Sequence, residues 1–340
     1  MSSAPYQTCI VGFGRISSGY ADDPIMARHY RYTTHAQVLR VHPRFAWNAV
    51  VDPSPDAQRA AKTSGIADVA TSAAQLTGRA KIEVAVLATP PGPSRFDALE
   101  ALPALRAVVV EKPLGRSLAE AQEFLKRCED RKVTVQVNLW RRSDETLRRL
   151  AAGELEARIG RLQTGTAFYG NGARNNGVHL VDMVRMLCGE IANVAAFGPG
   201  DEGANLPIPG DRQISGILTL ASGARIMMSA LDFRHYREVG LDLWGETGRL
   251  TILQEGLLIS HYPREANRAM QNEREIASDQ PRAIVSTVGE AFWHVYENLA
   301  SALDGNSGVY SPAESALRSE GVIEALFQSA KTSAPVLLGP

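Results

Sequence analysis

The sequence predicts an α/β domain built on a doubly wound parallel sheet, followed by an α+β domain with an open, mainly antiparallel sheet. Its 340 residues exceed the size at which a single core stops growing. The first 138 residues alternate short β-rich runs with helical stretches, which is typical of a parallel sheet. Longer β-rich runs separated by short turn signals follow, which favours antiparallel hairpins. We therefore expect domains at residues 1–140 and 141–340.

Five strand candidates in the first domain are apolar on both faces, as expected of strands covered by helices on each side. Ligands of such sheets bind beyond the carboxyl ends of the strands. The residues that directly follow each run are therefore the functional candidates. The runs are Thr8–Val11, Trp47–Val51, Val84–Ala88, Ala107–Val110 and Val133–Val137.

The second domain combines hairpins with flanking helices. Turn signals at Ala221–Gly223 and Gly245–Gly248 interrupt the β-rich stretches Ile214–Leu231 and Val239–Ser260. Apolar periodicity predicts helices over about Val178–Cys188 and Pro312–Lys331. Residues 262–281 are polar and are expected to form a loop.

Composition excludes several function classes. A formal net charge of −1 leaves no basic surplus for nucleic acid, and no basic amphipathic stretch favours a membrane surface. The three widely spaced cysteines contain no CxxC pair, which fits a reducing cytoplasm and argues against a disulfide framework or a cysteine zinc site. No His, Asp and Glu cluster has metal-ligand spacing, so we expect no metal.

A glycine-rich segment follows the first strand and precedes a predicted helix. Its glycines permit a tight turn and a close backbone approach, and a helix N-terminus there would bind a pyrophosphate. Serine stands where such loops carry a third glycine, and it is small enough to serve. A glycine-bearing turn without a ligand is the alternative. The segment reads Gly12, Phe13, Gly14, Arg15, Ile16 and Ser17.

Asp52 ends the second strand, where an acidic side chain accepts hydrogen bonds from ribose hydroxyls and repels a 2′-phosphate. The sequence thus favours NAD over NADP, the alternative being a turn aspartate before Pro53. Asp52 follows Gly12 at roughly twice the usual ~20 residues. We attribute the excess to an insertion around residues 20–34, which either covers the cofactor, extends the substrate pocket or forms a surface loop.

Further motifs resemble the glucose–fructose oxidoreductase/inositol dehydrogenase (Gfo/Idh/MocA) family over nearly the whole chain. The most specific are the E-K-P motif at Glu111-Lys112-Pro113 and the G-x-H-x-x-D motif at Gly177–Asp182. Supporting matches are Ala88-Thr89-Pro90-Pro91, Asn138–Arg142, Gly245–Gly248 and Ile323–Ala330.

The resemblance implies a Rossmann domain that binds NAD and a second domain that binds substrate. It implies that Lys112 and His179 face the reacting hydroxyl or carbonyl, and that a cis peptide precedes Pro113. A neutral histidine suits removal of a hydroxyl proton, and a lysine ammonium suits stabilisation of the developing oxyanion. Our hypothesis makes His179 the base and Lys112 the polarising group, although the roles could be exchanged.

The other site candidates follow from the same matches. Cofactor contacts are expected from the glycine segment, Asp52, Thr89, Pro90, Glu111, Lys112 and Asn138. Substrate contacts are expected from Lys112, Arg142, Asn175 and His179.

The chain departs from the family at two positions besides the insertion. Asn175 stands where relatives carry an aspartate, so a charge that would raise the pKa of the histidine is missing. Arg95 stands where relatives often have a histidine near the cofactor. Arg174, beside Asn175, either pairs with an anionic substrate group or is solvated.

Together these features predict an NAD-dependent dehydrogenase or reductase acting on a secondary hydroxyl or ketone of a sugar, cyclitol or sugar nucleotide. The alternatives are a non-catalytic NAD-binding regulator, which Asn175 leaves open, and an NAD-assisted glycoside hydrolase. The resemblance also implies a homodimer or homotetramer formed through the open sheet of the second domain.

Overall fold

A computed structural model of the protein describes residues 4–79, 81–201 and 206–339. Within these residues no helix combines the length and apolarity needed to cross a membrane. The helices are α1 (His35–Val41), α2 (Pro55–Thr63), α3 (Pro93–Ala101), α4 (Leu118–Asp130), α5 (Glu145–Arg149), α6 (Leu155–Ile159), α7 (Val178–Cys188), α8 (Ala291–Leu303) and α9 (Ala313–Thr332). The strands are β1 (Tyr6–Val11), β2 (Phe45–Val51), β3 (Asp68–Ala70), β4 (Val84–Leu87), β5 (Ala107–Val110), β6 (Thr134–Val137), β7 (Leu162–Gly170), β8 (Ile191–Ala196), β9 (Gly216–Leu220), β10 (Arg225–Leu231), β11 (Gly240–Gly245), β12 (Gly248–Leu253), β13 (Leu258–Ala266), β14 (Arg274–Ile276), β15 (Arg282–Ile284) and β16 (Val336–Leu337).

The chain divides into two compact units. The first contains the residues up to Ser143 together with Gly289–Leu317, and the second contains Asp144–Val288 and the residues from Arg318 onward. The predicted second domain contains all of residues 141–340, whereas α8 belongs to the first unit. The physical reason is that the apolar side of α8 is buried against Ile10 and Val50 of the first sheet.

The first unit contains the predicted parallel sheet. Its strand order is β3-β2-β1-β4-β5-β6, and every pair is parallel. The chain runs outward from β1 to β3 and then returns to β4 on the other side of β1, so β1 and β4 flank a topological switch point. That is the position where open α/β sheets bind ligands.

The prediction of a helix directly after the glycine segment is wrong. A five-residue π-helical turn, Arg15–Gly19, stands there instead, and α1 begins only at His35. Pro24 disfavours helical backbone at Asp23, so a helix cannot continue through this stretch. The insertion inferred from the sequence accounts for the displacement.

The second unit contains an open, mainly antiparallel sheet with the order β14-β13-β12-β11-β7-β10-β9-β8-β16, and β15 pairs with β13. Both predicted hairpins are confirmed, since β9–β10 and β11–β12 are antiparallel pairs. The pair β7–β10 is parallel, which the sequence did not indicate. Residues 262–281 are also more ordered than expected, because β13 continues to Ala266 and pairs with β14.

The helices of the second unit agree with the periodicity of the sequence. Helix α7 has the predicted bounds, and its side chains Leu180, Val184 and Leu187 are buried in the core of this unit. Helix α9 begins one residue after the predicted start and ends one residue later than predicted. The half-buried His179 lies on a helix whose other side chains are mostly buried.

Replacing Gly12 with alanine should destabilise the first unit more than the same change at Gly65. Both glycines have left-handed backbone (φ 90° and 84°), so both variants carry similar strain. At Gly12 a Cβ would also lie 2.7 Å from the Thr89 methyl carbon and 2.8 Å from the Ala88 carbonyl oxygen, whereas no described atom lies within 4 Å at Gly65. We expect an excess loss of about 1–3 kcal/mol for Gly12→Ala in urea unfolding. Equal losses would contradict this steric account.

Candidate active site

The glycine segment lies at the carboxyl end of β1. Gly12 packs directly against Ala88 and Thr89, so contacts within the protein already require glycine there. Ser17, in the place of the third glycine, is buried and donates a hydrogen bond from Oγ to the Gly12 carbonyl oxygen at 2.6 Å. The buried Ser17 side chain therefore stabilises the turn through this hydrogen bond.

Gly14 differs from Gly12, because no described atom would lie within 4 Å of a Cβ at this position. The residue is exposed, and its φ of −91° is open to any amino acid. Neither packing nor backbone conformation thus explains this glycine. Open space beside the backbone at the switch point of the sheet fits the pyrophosphate of a dinucleotide.

Asp52 fixes this segment from the end of β2. Its Oδ2 accepts a hydrogen bond from the Phe13 amide at 2.7 Å, and its Oδ1 accepts one from the Ser54 amide at 2.8 Å. Asp52 therefore stabilises the turn before Pro53, which was the alternative to a ribose contact. Its other carboxylate oxygen binds the Phe13 amide. Each carboxylate oxygen retains a further lone pair, so contact with a ribose hydroxyl stays a compatible prediction.

The next two residues of the segment differ in exposure. The exposed Arg15 places its guanidinium 4.9 Å from the centre of the Tyr20 ring. Ile16 is half-buried against the core of this unit. Arg15 is thus the more accessible of the two.

The inserted residues 20–34 pack against the first unit. Asp23 accepts hydrogen bonds from the Ile25 and Met26 amides, and the Tyr32 ring stacks on Trp293 of α8 with centroids 5.5 Å apart. Thr34 ends the insertion as the N-cap of α1, in a capping box with Gln37. This cap sets the position of His35.

His35 belongs to a buried network around the carboxylate of Glu111, at the end of β5. Its Nε2 lies 3.0 Å from Glu111 Oε1, and its Nδ1 lies 2.6 Å from the Tyr296 hydroxyl. Asn138 donates from Nδ2 to the same Glu111 oxygen at 2.5 Å. Because an ionised carboxylate only accepts, Nε2 of His35 carries a proton and donates it to Glu111.

Two opposing effects set the pKa of Glu111. Burial alone would raise the pKa, but the hydrogen bond and charge of His35 lower it, followed by the hydrogen bond from Asn138 and the charge of Lys112. The pKa of Glu111 therefore lies below its ordinary value. The carboxylate therefore stays ionised beside Lys112.

Arg95, on α3, connects the segments that follow β4 and β5. It is 1% exposed, and its guanidinium donates to four backbone carbonyl oxygens. The acceptors are Thr89 (2.6 Å), Pro113 (2.8 Å), Glu111 (2.9 Å) and Leu114 (3.0 Å). The arginine thus holds the backbone on both sides of Lys112.

The remaining candidates of the first unit lie at the same edge of the sheet. Lys112 and Thr89 are half-buried, and Pro90 is exposed. The peptide bond between Lys112 and Pro113 is cis, as the resemblance implied. Arg142 is half-buried in a 3₁₀ turn that follows β6.

In the second unit, the loop before His179 is organised by Asp211, which the sequence analysis did not single out. The buried Asp211 carboxylate accepts hydrogen bonds from the amides of Arg174 (2.9 Å) and Asn175 (3.0 Å). The Asn175 side chain donates to the Asn171 carbonyl oxygen at 3.1 Å. Position 175 carries no carboxylate, but the Asp211 carboxylate binds the backbone of the same loop.

Two neighbouring charged groups have structural partners. Arg174 forms a bidentate pair with Glu324 (2.9 and 3.0 Å) and covers the Phe327 ring, so it is not the solvated arginine weighed from the sequence. Asp182 of the G-x-H-x-x-D motif is 3% exposed and accepts a hydrogen bond from Ser319 on α9. Asp182 therefore anchors α7.

Comparison with known families identifies the chain. Residues 7–139 match the Gfo/Idh/MocA oxidoreductase family, NAD-binding Rossmann fold, and residues 161–338 match the C-terminal alpha/beta domain of the same family. The chain belongs to the Gfo/Idh/MocA family. It is an oxidoreductase with an NAD-binding Rossmann domain, and the resemblance inferred from its motifs is confirmed. No curated protein matched the sequence.

Solved structures share this fold across the full chain. The WlbA dehydrogenase from Bordetella pertussis, in complex with NADH and UDP-GlcNAcA, has 21% identity and a TM-score of 0.75, with 100% of this chain and 99% of that chain covered. An oxidoreductase from Agrobacterium radiobacter, in complex with NAD+, L-tartaric acid and magnesium, has 17% identity and a TM-score of 0.73, with 98% of each chain covered. An oxidoreductase domain protein from Kribbella flavida has 17% identity and a TM-score of 0.76, with 99% of this chain and 100% of that chain covered.

His35→Ala should destabilise the protein in a pH-dependent way. Because the folded-state pKa of Glu111 is lowered, its contribution to stability is present above the unfolded pKa and is lost as pH falls through the folded pKa. The variant removes the main lowering partner, at a cost of about 1–3 kcal/mol for a buried group left without its hydrogen bond. Urea unfolding should therefore show a larger loss near pH ~7 than near pH ~4.

The matched control is His29→Ala, an exposed histidine in the inserted segment that precedes α1. We expect it to be nearly neutral at both pH values. A loss for His35→Ala that is independent of pH would show that only packing was removed.

Proposed function

We propose that the protein is an NAD(H)-dependent oxidoreductase that transfers a hydride between nicotinamide and a secondary hydroxyl or ketone of a sugar, cyclitol or sugar nucleotide. The observation that carries the proposal is the placement of Lys112 directly after an ionised, buried Glu111 at the ligand-binding edge of an NAD-binding sheet. The UDP-GlcNAcA bound by the WlbA relative supports the sugar-nucleotide class.

The residues at this edge fit the cofactor. The open space at Gly14 suits the pyrophosphate, with Gly12, Phe13, Arg15 and Ile16 around it. Asp52 would receive the ribose hydroxyls and disfavour a 2′-phosphate, which supports NAD over NADP. Thr89, Pro90, Glu111 and Asn138 complete the proposed cofactor residues. When bound, NAD supplies the carbon that accepts or returns the hydride.

Lys112 is proposed to polarise the reacting oxygen. Lys112 directly follows the ionised Glu111 in the chain, and a lysine ammonium can donate a hydrogen bond to an oxygen that gains negative charge. A fixed cation is most effective when its supporting backbone does not move during the reaction, and the Arg95 contacts hold the residues on both sides of it.

His179 is proposed to take the hydroxyl proton, or to return it in the opposite direction. On α7 it is one of few side chains that are not buried, which suits contact with a substrate. Asn175 and Arg142 are proposed to contribute further substrate contacts.

Lys112→Met and His179→Ala should each lower turnover by about 10²–10⁴-fold, because each removes a proposed proton-transfer or charge-stabilising group. The measurement is absorbance at 340 nm with NAD or NADH and a panel of sugars, cyclitols and UDP-sugars. Lys126→Met, an exposed lysine on α4, is the matched control and should keep full turnover. Near-native turnover in both active-site variants would overturn the assignment, and NADH binding without turnover on any compound would favour a regulator.

We also propose that the protein forms a homodimer or homotetramer through the sheet of the second unit. One face of this sheet packs on α7 through Ile226 and Met228, while the opposite face carries Met227 and Leu258, each 46% exposed. Met227 lies within β10, an inner strand of the sheet, and an exposed apolar side chain there fits a subunit interface.

Met227→Glu should weaken this assembly, because burying an unpaired carboxylate in an interface is unfavourable. Light scattering is expected to give a dimer or tetramer mass for the natural sequence and a lower mass for the variant. Val41→Glu, at a position 56% exposed on α1, is the control and should leave the mass unchanged. A monomeric mass for the unaltered protein would contradict the proposal.

A further inference from the structure

We propose that Arg95 is a positioning residue for the reaction, holding Lys112 in place through the backbone on both sides of it. The proposal rests on the function proposed above for Lys112. Arg95 takes part in no bond-making step and acts only through the protein backbone.

The geometry of the guanidinium is specific. Nη2 donates to the carbonyl oxygens of Thr89 and Glu111, and Nη1 donates to those of Pro113 and Leu114. Glu111 and Pro113 are the two neighbours of Lys112 in the chain. The base of the lysine is therefore restrained from both directions by one rigid, planar group.

Packing alone would not call for arginine here. The neighbouring buried residues of α3 are Ala98 and Leu99, so an apolar side chain would satisfy packing. Burying a cation is costly unless hydrogen bonds compensate it. A guanidinium offers five donors in a fixed fork, which lysine lacks, so the four carbonyl contacts depend on this side chain.

The same side chain also connects the lysine to the glycine segment. Thr89, one of the four acceptors, packs its methyl group against Gly12. Contacts therefore run from the glycine segment through Thr89 and Arg95 to the backbone of Lys112. We infer that Arg95 sets the position of the lysine relative to the cofactor-binding loop.

The test compares Arg95→Lys and Arg95→Met with Arg127→Lys on α4, whose exposed side chain pairs with Glu100 and Glu123. Small misplacements of a reacting group cost up to ~10²-fold in rate, so we expect kcat to fall about 10–100-fold in both Arg95 variants. The dissociation constant for NADH, measured by fluorescence titration, should change less than about threefold. The control should match the natural protein in both quantities.

A second readout does not need turnover. The rate at which the Lys112 amine reacts with an acylating reagent, followed by peptide mass spectrometry, should change at least about threefold in Arg95→Lys, while the rate at Lys126 stays constant. The proposed function fails if the natural protein shows no turnover on any compound, yet this labelling still tests the positioning role. Unchanged kcat and Lys112 labelling in folded Arg95→Lys would overturn the proposal, as would parallel losses of kcat, NADH binding and melting temperature.

Discussion

The candidate site of the first unit depends on one buried carboxylate. Glu111 follows β5 with its side chain largely removed from solvent, and an ion in such a place must be paired or hydrogen-bonded. Its partners come from separate parts of the chain, with His35 at the start of α1 and Asn138 after β6. The hydrogen bonds to the Glu111 carboxylate thereby hold three segments together at the edge of the sheet: the start of α1, the end of β5 and the end of β6. Glu111 is also the residue that precedes Lys112 in the sequence.

Two of the three departures seen in the sequence lie next to Glu111, and the third lies in the second unit. The insertion displaces α1, and its capping box at Thr34 places His35 against Glu111. Arg95 binds the Glu111 carbonyl oxygen together with those of Thr89, Pro113 and Leu114. In the second unit Asp211 holds the loop that contains Asn175. Each departure therefore coincides with a local contact that supports the segment around a proposed catalytic residue.

Local patterns predicted most of the fold, and contacts between distant residues account for what they missed. The apolar runs of β1, β4 and β5 predicted strands because both faces are buried, whereas β3 is only three residues long and begins with Asp68. The parallel pairing of β7 and β10 involves segments far apart in sequence and leaves no local signal. The start of α1 had a signal in the T-x-x-Q pattern of Thr34 and Gln37, which the sequence analysis overlooked.

For the candidate site, too, local sequence patterns predicted some residues, and contacts between distant residues account for the others. Lys112 and His179 were found by motif, since their neighbours in sequence carry the family pattern. His35 could not be found this way, because it reaches Glu111 only through the packing of α1.

The proposed hydride transfer between nicotinamide and a carbon of the substrate can be followed with NADH that is deuterated at the transferred position. The enzyme is incubated with this NADH and a carbonyl compound that is active in the screen, and the product is measured by mass spectrometry. We expect one deuterium bound to the carbon of the new hydroxyl. Release of a leaving group, with no deuterium gained and no net NADH consumed, would contradict hydride transfer to the substrate.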